Sequence, residues 1–72
     1  MTLSIMADPI NITLNGEARR AQAGMTIAQL VEEIGLDPAK VAVERNLEIV
    51  PRSTLAIVPL ADGDVLEIVR SE

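Results

Sequence analysis

The sequence predicts an α+β domain in which one main helix packs across a mixed β-sheet of four to five strands. Three observations support this prediction: an alternating apolar segment followed by Asn15-Gly16, one capped segment with helical periodicity, and a late apolar strand after Asp62-Gly63-Asp64. A chain of 72 residues has room for one hydrophobic core. We therefore expect a single domain.

The first two strands are predicted to form a β-hairpin. Ile10 to Leu14 alternates apolar and polar residues, which is the period of a strand with one buried face. Asn15-Gly16 follows at once, and both residue types tolerate the positive φ angles of tight hairpin turns. A second strand over residues 17–22 should pair antiparallel with the first, and Arg19 and Arg20 should form a solvated edge.

A helix is predicted to begin after Thr26 and to end at Gly35. Thr26 and Gln29 have the spacing of a capping box. Gly35 has the position of a left-handed C′ residue, with Leu36 providing the apolar contact that accompanies such a cap. The apolar residues between the caps recur at i, i+3, i+4 and i+7 and form one face: Ile27, Leu30, Val31 and Ile34.

Three more strands are predicted in the second half. Val41 to Arg45 should form a strand whose first three residues are buried or nearly so, and Ile49-Val50 a short edge strand limited by Pro51. Val65 to Val69 has apolar residues on both faces, which is typical of a central strand. Residues 52–60 lack a clean period, so irregular structure with one helical turn is expected.

The order strand, strand, helix, strand, short strand, strand is that of the β-grasp (ubiquitin-like) fold. The residues expected in its core are Ile12, Leu14, Leu30, Val31, Ile34, Val43, Leu66 and Ile68.

Composition argues against an enzyme. The chain has no cysteine and no histidine, and its net charge of −5 repels a phosphate backbone. Asp62, Asp64 and Glu67 lack the ligand spacing of an EF-hand, so no metal or catalytic residue is predicted. With no signal peptide or membrane-spanning stretch in the sequence, we expect a cytoplasmic protein without nucleic-acid or membrane partners.

The last strand predicts an exposed apolar surface. Val65 and Val69 share one face and Leu66 and Ile68 the other, yet a single helix covers only one face of a sheet. The uncovered valines would mark a partner surface. The competing explanation is that residues 52–60 fold over them.

Several segments together resemble the ThiS family, the sulfur carriers of thiamin biosynthesis, from about residue 10 to residue 69. The matching segments are Ile12-Thr13-Leu14-Asn15-Gly16-Glu17, the helix capped by Thr26, Val41-Ala42-Val43-Glu44-Arg45-Asn46, Ile49-Val50-Pro51-Arg52, Leu60-Ala61-Asp62-Gly63-Asp64 and Leu66-Glu67-Ile68-Val69.

The resemblance implies a carrier that works through a C-terminal tail ending in Gly-Gly. A ThiF-like enzyme would adenylate the terminal carboxylate with ATP and magnesium, sulfur transfer would give a thiocarboxylate, and a ThiG-like thiazole synthase would receive the sulfur. The domain itself is expected to bind no cofactor. The alternative is a ubiquitin-like interaction module that has lost carrier chemistry.

The sequence departs from the family pattern at its end, where Arg70-Ser71-Glu72 follow and no Gly-Gly is present. Either the tail is truncated, which we favour because the match persists through the last strand, or the chain is a paralogue without the chemistry.

We expect a flexible extension over residues 1–9, the domain over 10–69 and a mobile tail over 70–72. A monomer is expected when the protein is free. The predicted partner-binding residues are Val65, Val69, Arg70, Ser71 and Glu72.

Overall fold

The computed structural model describes residues 8–71 and confirms the β-grasp architecture. Five strands form one sheet in the order β2-β1-β5-β3-β4. β1 and β5 are parallel, and the other neighbouring strands are antiparallel. The elements in chain order are β1 (Ile10–Leu14), β2 (Glu17–Ala21), helix α1 (Ile27–Glu33), a 3₁₀ turn (Pro38–Lys40), β3 (Val41–Arg45), β4 (Glu48–Val50), a second 3₁₀ turn (Arg52–Thr54) and β5 (Val65–Arg70).

Both predicted caps of α1 are present. Thr26 Oγ1 accepts a hydrogen bond of 3.1 Å from the Gln29 amide, and Gln29 Oε1 accepts one of 2.9 Å from the Thr26 amide. At the other end Gly35 has a φ of 90°, and the Gly35 and Leu36 amides donate to the carbonyls of Glu32 and Val31. These two bonds form a Schellman motif. The helix bounds therefore follow from local sequence.

The core lies between α1 and one face of the sheet. It consists of Ile12, Leu14, Ala21, Ile27, Leu30, Val31, Val41, Val43, Leu55, Leu60, Leu66 and Ile68.

Two predicted core positions need correction. Ile34 is only half-buried because it is the C-cap residue of α1, beyond the last full turn over the sheet. Ala42 is exposed because successive side chains of β3 point to opposite faces, so that only Val41 and Val43 face the helix.

The predicted extension over residues 1–9 falls largely on residues 1–7, which lie outside the described residues; Asp8 and Pro9 are exposed and precede β1. Within residues 8–71, no helix is long and apolar enough to cross a membrane.

Candidate partner-binding surface

The central strand β5 has one buried face and one open face. Leu66 and Ile68 point into the core, whereas Val65 is 45% exposed and Val69 is 56% exposed. Both valines thus lie on the side of the sheet opposite α1, as the sequence predicted. Their role in partner binding stays a prediction.

Residues 52–60 do not cover the open face, so this competing explanation is wrong. Leu55 and Leu60 are buried in the core on the helix side. The amides of Ile27 and Ala28 at the start of α1 donate to the carbonyls of Val58 and Leu55, at 3.0 and 2.8 Å. The segment is therefore fixed against the helix N-terminus, away from the two valines.

The open face carries more apolar side chains than the sequence analysis identified. Leu47 is 89% exposed and Ile49 is 74% exposed, and both line one shallow depression with the two valines of β5. We call this surface the open-face patch; it consists of Ala42, Glu44, Leu47, Ile49, Val65, Glu67 and Val69. The sequence analysis did not identify Leu47 and Ile49, because the face of the sheet on which their side chains lie depends on the register of β4. Alternation from Val50, which packs against the core, would have placed Ile49 on the open side.

Leu47 is presented by a strained turn. Asn46 and Leu47 form the two-residue connection between β3 and β4, with φ angles of 52° and 72°. Asparagine tolerates this left-handed conformation, whereas a leucine in it is uncommon and costs stability. The structure therefore holds an exposed apolar side chain in an unfavourable conformation at the edge of the patch.

Two asparagines fix β5 from opposite sides. Asn15 Oδ1 accepts a 2.8 Å hydrogen bond from the Ile68 amide, and Asn15 Nδ2 donates to the Ile68 carbonyl at 3.2 Å. Asn46 Oδ1 accepts a 2.9 Å bond from the Val65 amide, and the Asn46 amide donates to the Val65 carbonyl at 2.8 Å. Each asparagine sits in a hairpin turn and completes the hydrogen bonding of the strand that leads to the C-terminus.

A buried carboxylate organises the entry to β5. Asp64 is 5% exposed, and its Oδ2 accepts a 2.9 Å bond from the Ala61 amide and lies 3.7 Å from Nη1 of Arg45. Its Oδ1 accepts a 3.2 Å bond from Nδ2 of Asn46. Asp64 therefore fixes the turn over residues 61–64 and the start of β5 through contacts within the domain. Within residues 8–71, no group of three acidic side chains could hold a metal ion.

The last strand extends one residue further than predicted. β5 continues to Arg70, which lies opposite Val41, and the Ser71 amide donates to the Lys40 carbonyl at 2.7 Å. The predicted domain boundary at residue 69 therefore falls before the last paired residue. Arg70 and Ser71 are exposed, and Glu72 lies outside the described residues.

Comparison with known proteins gives the family of this domain. The model of the ThiS family matches residues 12–71. The chain belongs to the ThiS family. This match begins within β1 and extends past the end of β5, and it confirms the resemblance based on sequence segments.

A solved ThiS structure has the same fold. The thiamine biosynthesis protein ThiS from Geobacter metallireducens superposes with a TM-score of 0.75 at 23% identity, covering 88% of this chain and 96% of that protein. A designed protein based on human erythrocytic ubiquitin superposes with a TM-score of 0.52 at 27% identity. This match covers 92% of this chain and 96% of the designed protein.

Two curated relatives of this ThiS-family chain are much longer proteins. The thiazole synthase of Paramagnetospirillum magneticum is 55% identical over 60 residues, and that of Magnetococcus marinus is 45% identical over 60 residues. Each match covers 83% of the chain but only 18% of the relative. This ThiS-family domain therefore spans less than a fifth of the length of these relatives.

Proposed function

We propose that this domain is a sulfur carrier for thiazole formation in thiamin biosynthesis. The observation that supports the proposal most directly is membership of the ThiS family over residues 12–71. The domain would bind the partner enzymes and position a C-terminal tail. The partner enzymes would perform the chemistry on that tail.

The structure of β5 suits this role. The strand lies at the centre of the sheet and leads directly to Ser71, and its Val65 and Ile68 amides donate hydrogen bonds to Asn46 and Asn15 on its two sides. A tail that starts from Ser71 has a fixed point of departure from the domain. We propose that Arg70, Ser71 and Glu72 lead this tail into the partner.

We further propose that the open-face patch, including Val65 and Val69, docks the adenylating enzyme. The patch borders the same strand that leads to the tail, so that one partner could hold the face and receive the tail together. It lacks aromatic side chains, which are the usual anchors of strong interfaces, so we expect a transient contact.

The proposed reaction begins when an oxygen of the terminal carboxylate attacks the α-phosphate of ATP on a ThiF-like enzyme with magnesium. Pyrophosphate leaves and an acyl-adenylate forms on the tail. Attack of sulfide-level sulfur (HS⁻) from a sulfur donor on the acyl carbon then breaks the acyl–phosphate bond, releases AMP and a proton, and gives a thiocarboxylate. We propose a thiazole synthase as the acceptor of this sulfur, which the names of the two relatives support.

The test compares the chain ending at Glu72 with forms extended to Gly-Gly and to Ala-Ala. Each is incubated with the ThiF-like enzyme, ATP and magnesium, and pyrophosphate release and intact protein mass are measured. We expect adenylation of the Gly-Gly form alone, because glycine lacks the Cβ that would obstruct a narrow active site. The Ala-Ala form controls for tail length.

An unreactive Gly-Gly form would contradict the carrier proposal. If that form still bound a protein partner through the exposed apolar face, the ubiquitin-like interaction module would become the better description.

A further inference from the structure

Two glutamates face each other in the middle of the open-face patch. Glu44 of β3 lies directly opposite Glu67 of β5 in the antiparallel register, and Ile49 of β4 lies opposite Glu44 on its other side. Directly opposed side chains in a sheet have Cβ atoms about 4.5–5.5 Å apart, where like charges destabilise the pair. The apolar surface thus has an acidic centre.

No cation of the described domain balances this pair. Among residues 8–71, ion pairs join Arg19 to Glu33 and Arg45 to Asp64. Arg45 follows Glu44 in sequence, but neighbouring residues of a strand point to opposite faces. The repulsion between Glu44 and Glu67 is therefore left unbalanced in the described part of the chain.

We propose that the open-face patch recognises a protein surface that places an arginine or lysine between Glu44 and Glu67, while apolar side chains around that cation cover Ile49, Val65 and Val69. Covering two carboxylates with apolar groups alone would remove them from water without compensation. A partner cation supplies that compensation, and an arginine could bond both carboxylates through its several N–H groups. The identity of the partner as an adenylating enzyme rests on the proposed function.

The negative charge of the domain argues against a second copy of the domain, nucleic acid or an anionic membrane as the partner of this face. A second copy of the domain would bring four carboxylates together in one interface, and the net charge of −5 opposes such an approach. Nucleic acid and anionic lipid headgroups are repelled for the same reason. A protein with a cationic centre and an apolar surround is the occupant whose chemistry complements the patch.

The experiment measures binding of the Gly-Gly-extended chain to the ThiF-like adenylating enzyme by calorimetry at several salt concentrations. The test variant is E44Q/E67Q, which keeps side-chain size and removes both charges. The matched control is E17Q/E32Q, which changes the net charge equally at two exposed positions on β2 and α1.

We expect E44Q/E67Q to bind at least about tenfold more weakly, with a smaller loss of affinity on adding salt than the wild type. The control should bind within about twofold of the wild type, because its charges lie outside the patch. Equal affinity of E44Q/E67Q and wild type would overturn the inference. The inference would also fail if the wild type did not bind the enzyme, or if the wild type associated with itself.

Pyrophosphate release separates this inference from the proposed function. Adenylation of the Gly-Gly-extended chain that keeps Glu44 and Glu67, together with equal binding of its E44Q/E67Q variant, would refute the inference alone. Charge-dependent binding without adenylation would refute the carrier function and leave the inference standing.

A second measurement tests the repulsion in the free domain. E44Q/E67Q and E67Q should each unfold about 1–8 °C above the wild type, because removal of either charge ends the repulsion. The same unfolding temperature in all three proteins would show that the two carboxylates do not interact and would overturn the inference.

Discussion

The two faces of the sheet differ although the same strands build both. On the helix face, side chains such as Leu66 and Ile68 are buried together with those of α1. On the open face, Val65 and Val69 remain exposed, and Glu44 lies directly opposite Glu67. Stability in this domain therefore comes from one side of the sheet. The other side keeps exposed apolar side chains and two opposed carboxylates, which are features that cost stability.

The largest effect on stability is expected when Leu30→Ala, on the helix face, is compared with Val69→Ala, on the open face. Leu30 is fully buried, so its truncation should lower the free energy of unfolding by about 2–5 kcal/mol, much of the total stability of a small domain. Val69 is exposed on the open face, and its truncation should change stability by less than about 0.5 kcal/mol. Chemical denaturation measures both. Similar losses in the two variants would mean that the faces do not differ as described.

A smaller effect is expected at Asn15, which links a turn to the central strand. Asn15→Gly keeps the positive φ of the turn but removes both side-chain bonds to Ile68, so we expect a loss of about 1–3 kcal/mol. Asn11→Ala is the matched control, since no side-chain hydrogen bond of Asn11 is present among residues 8–71, although its backbone bonds to Asp62 and Gly63.

Amide hydrogen exchange of Asn15→Gly locates the effect. Faster exchange at Ile68 than in Asn11→Ala would support the role of Asn15 in fixing β5. Unchanged exchange there would contradict it.

The smallest expected effect is a gain in stability at Leu47. Leu47→Gly relieves the left-handed conformation of the β3–β4 turn and loses little burial, so the free energy of unfolding should rise by up to about 1 kcal/mol. Leu47→Ala is the control, because it removes the side chain but keeps the strained φ. Thermal unfolding of both variants distinguishes strain from exposure, and a less stable Leu47→Gly would show that the leucine supports the fold.

Local sequence determined the helix and the first hairpin. Thr26, Gln29 and Gly35 satisfy backbone groups within a few residues of themselves, and Asn15-Gly16 supports a tight turn wherever it stands. The alternation in β5 likewise placed Leu66 and Ile68 opposite Val65 and Val69, because the period of a strand does not depend on its neighbours.

Tertiary structure alone decided how these elements meet and what the open face contains. The opposition of Glu44 and Glu67 depends on strand register across more than twenty residues, and the exposure of Leu47 and Ile49 depends on where β4 pairs. The position of residues 52–60 against α1 follows from hydrogen bonds with the helix start. Such long-range pairings arise from the packing of the whole domain, so no short segment of the sequence encodes them.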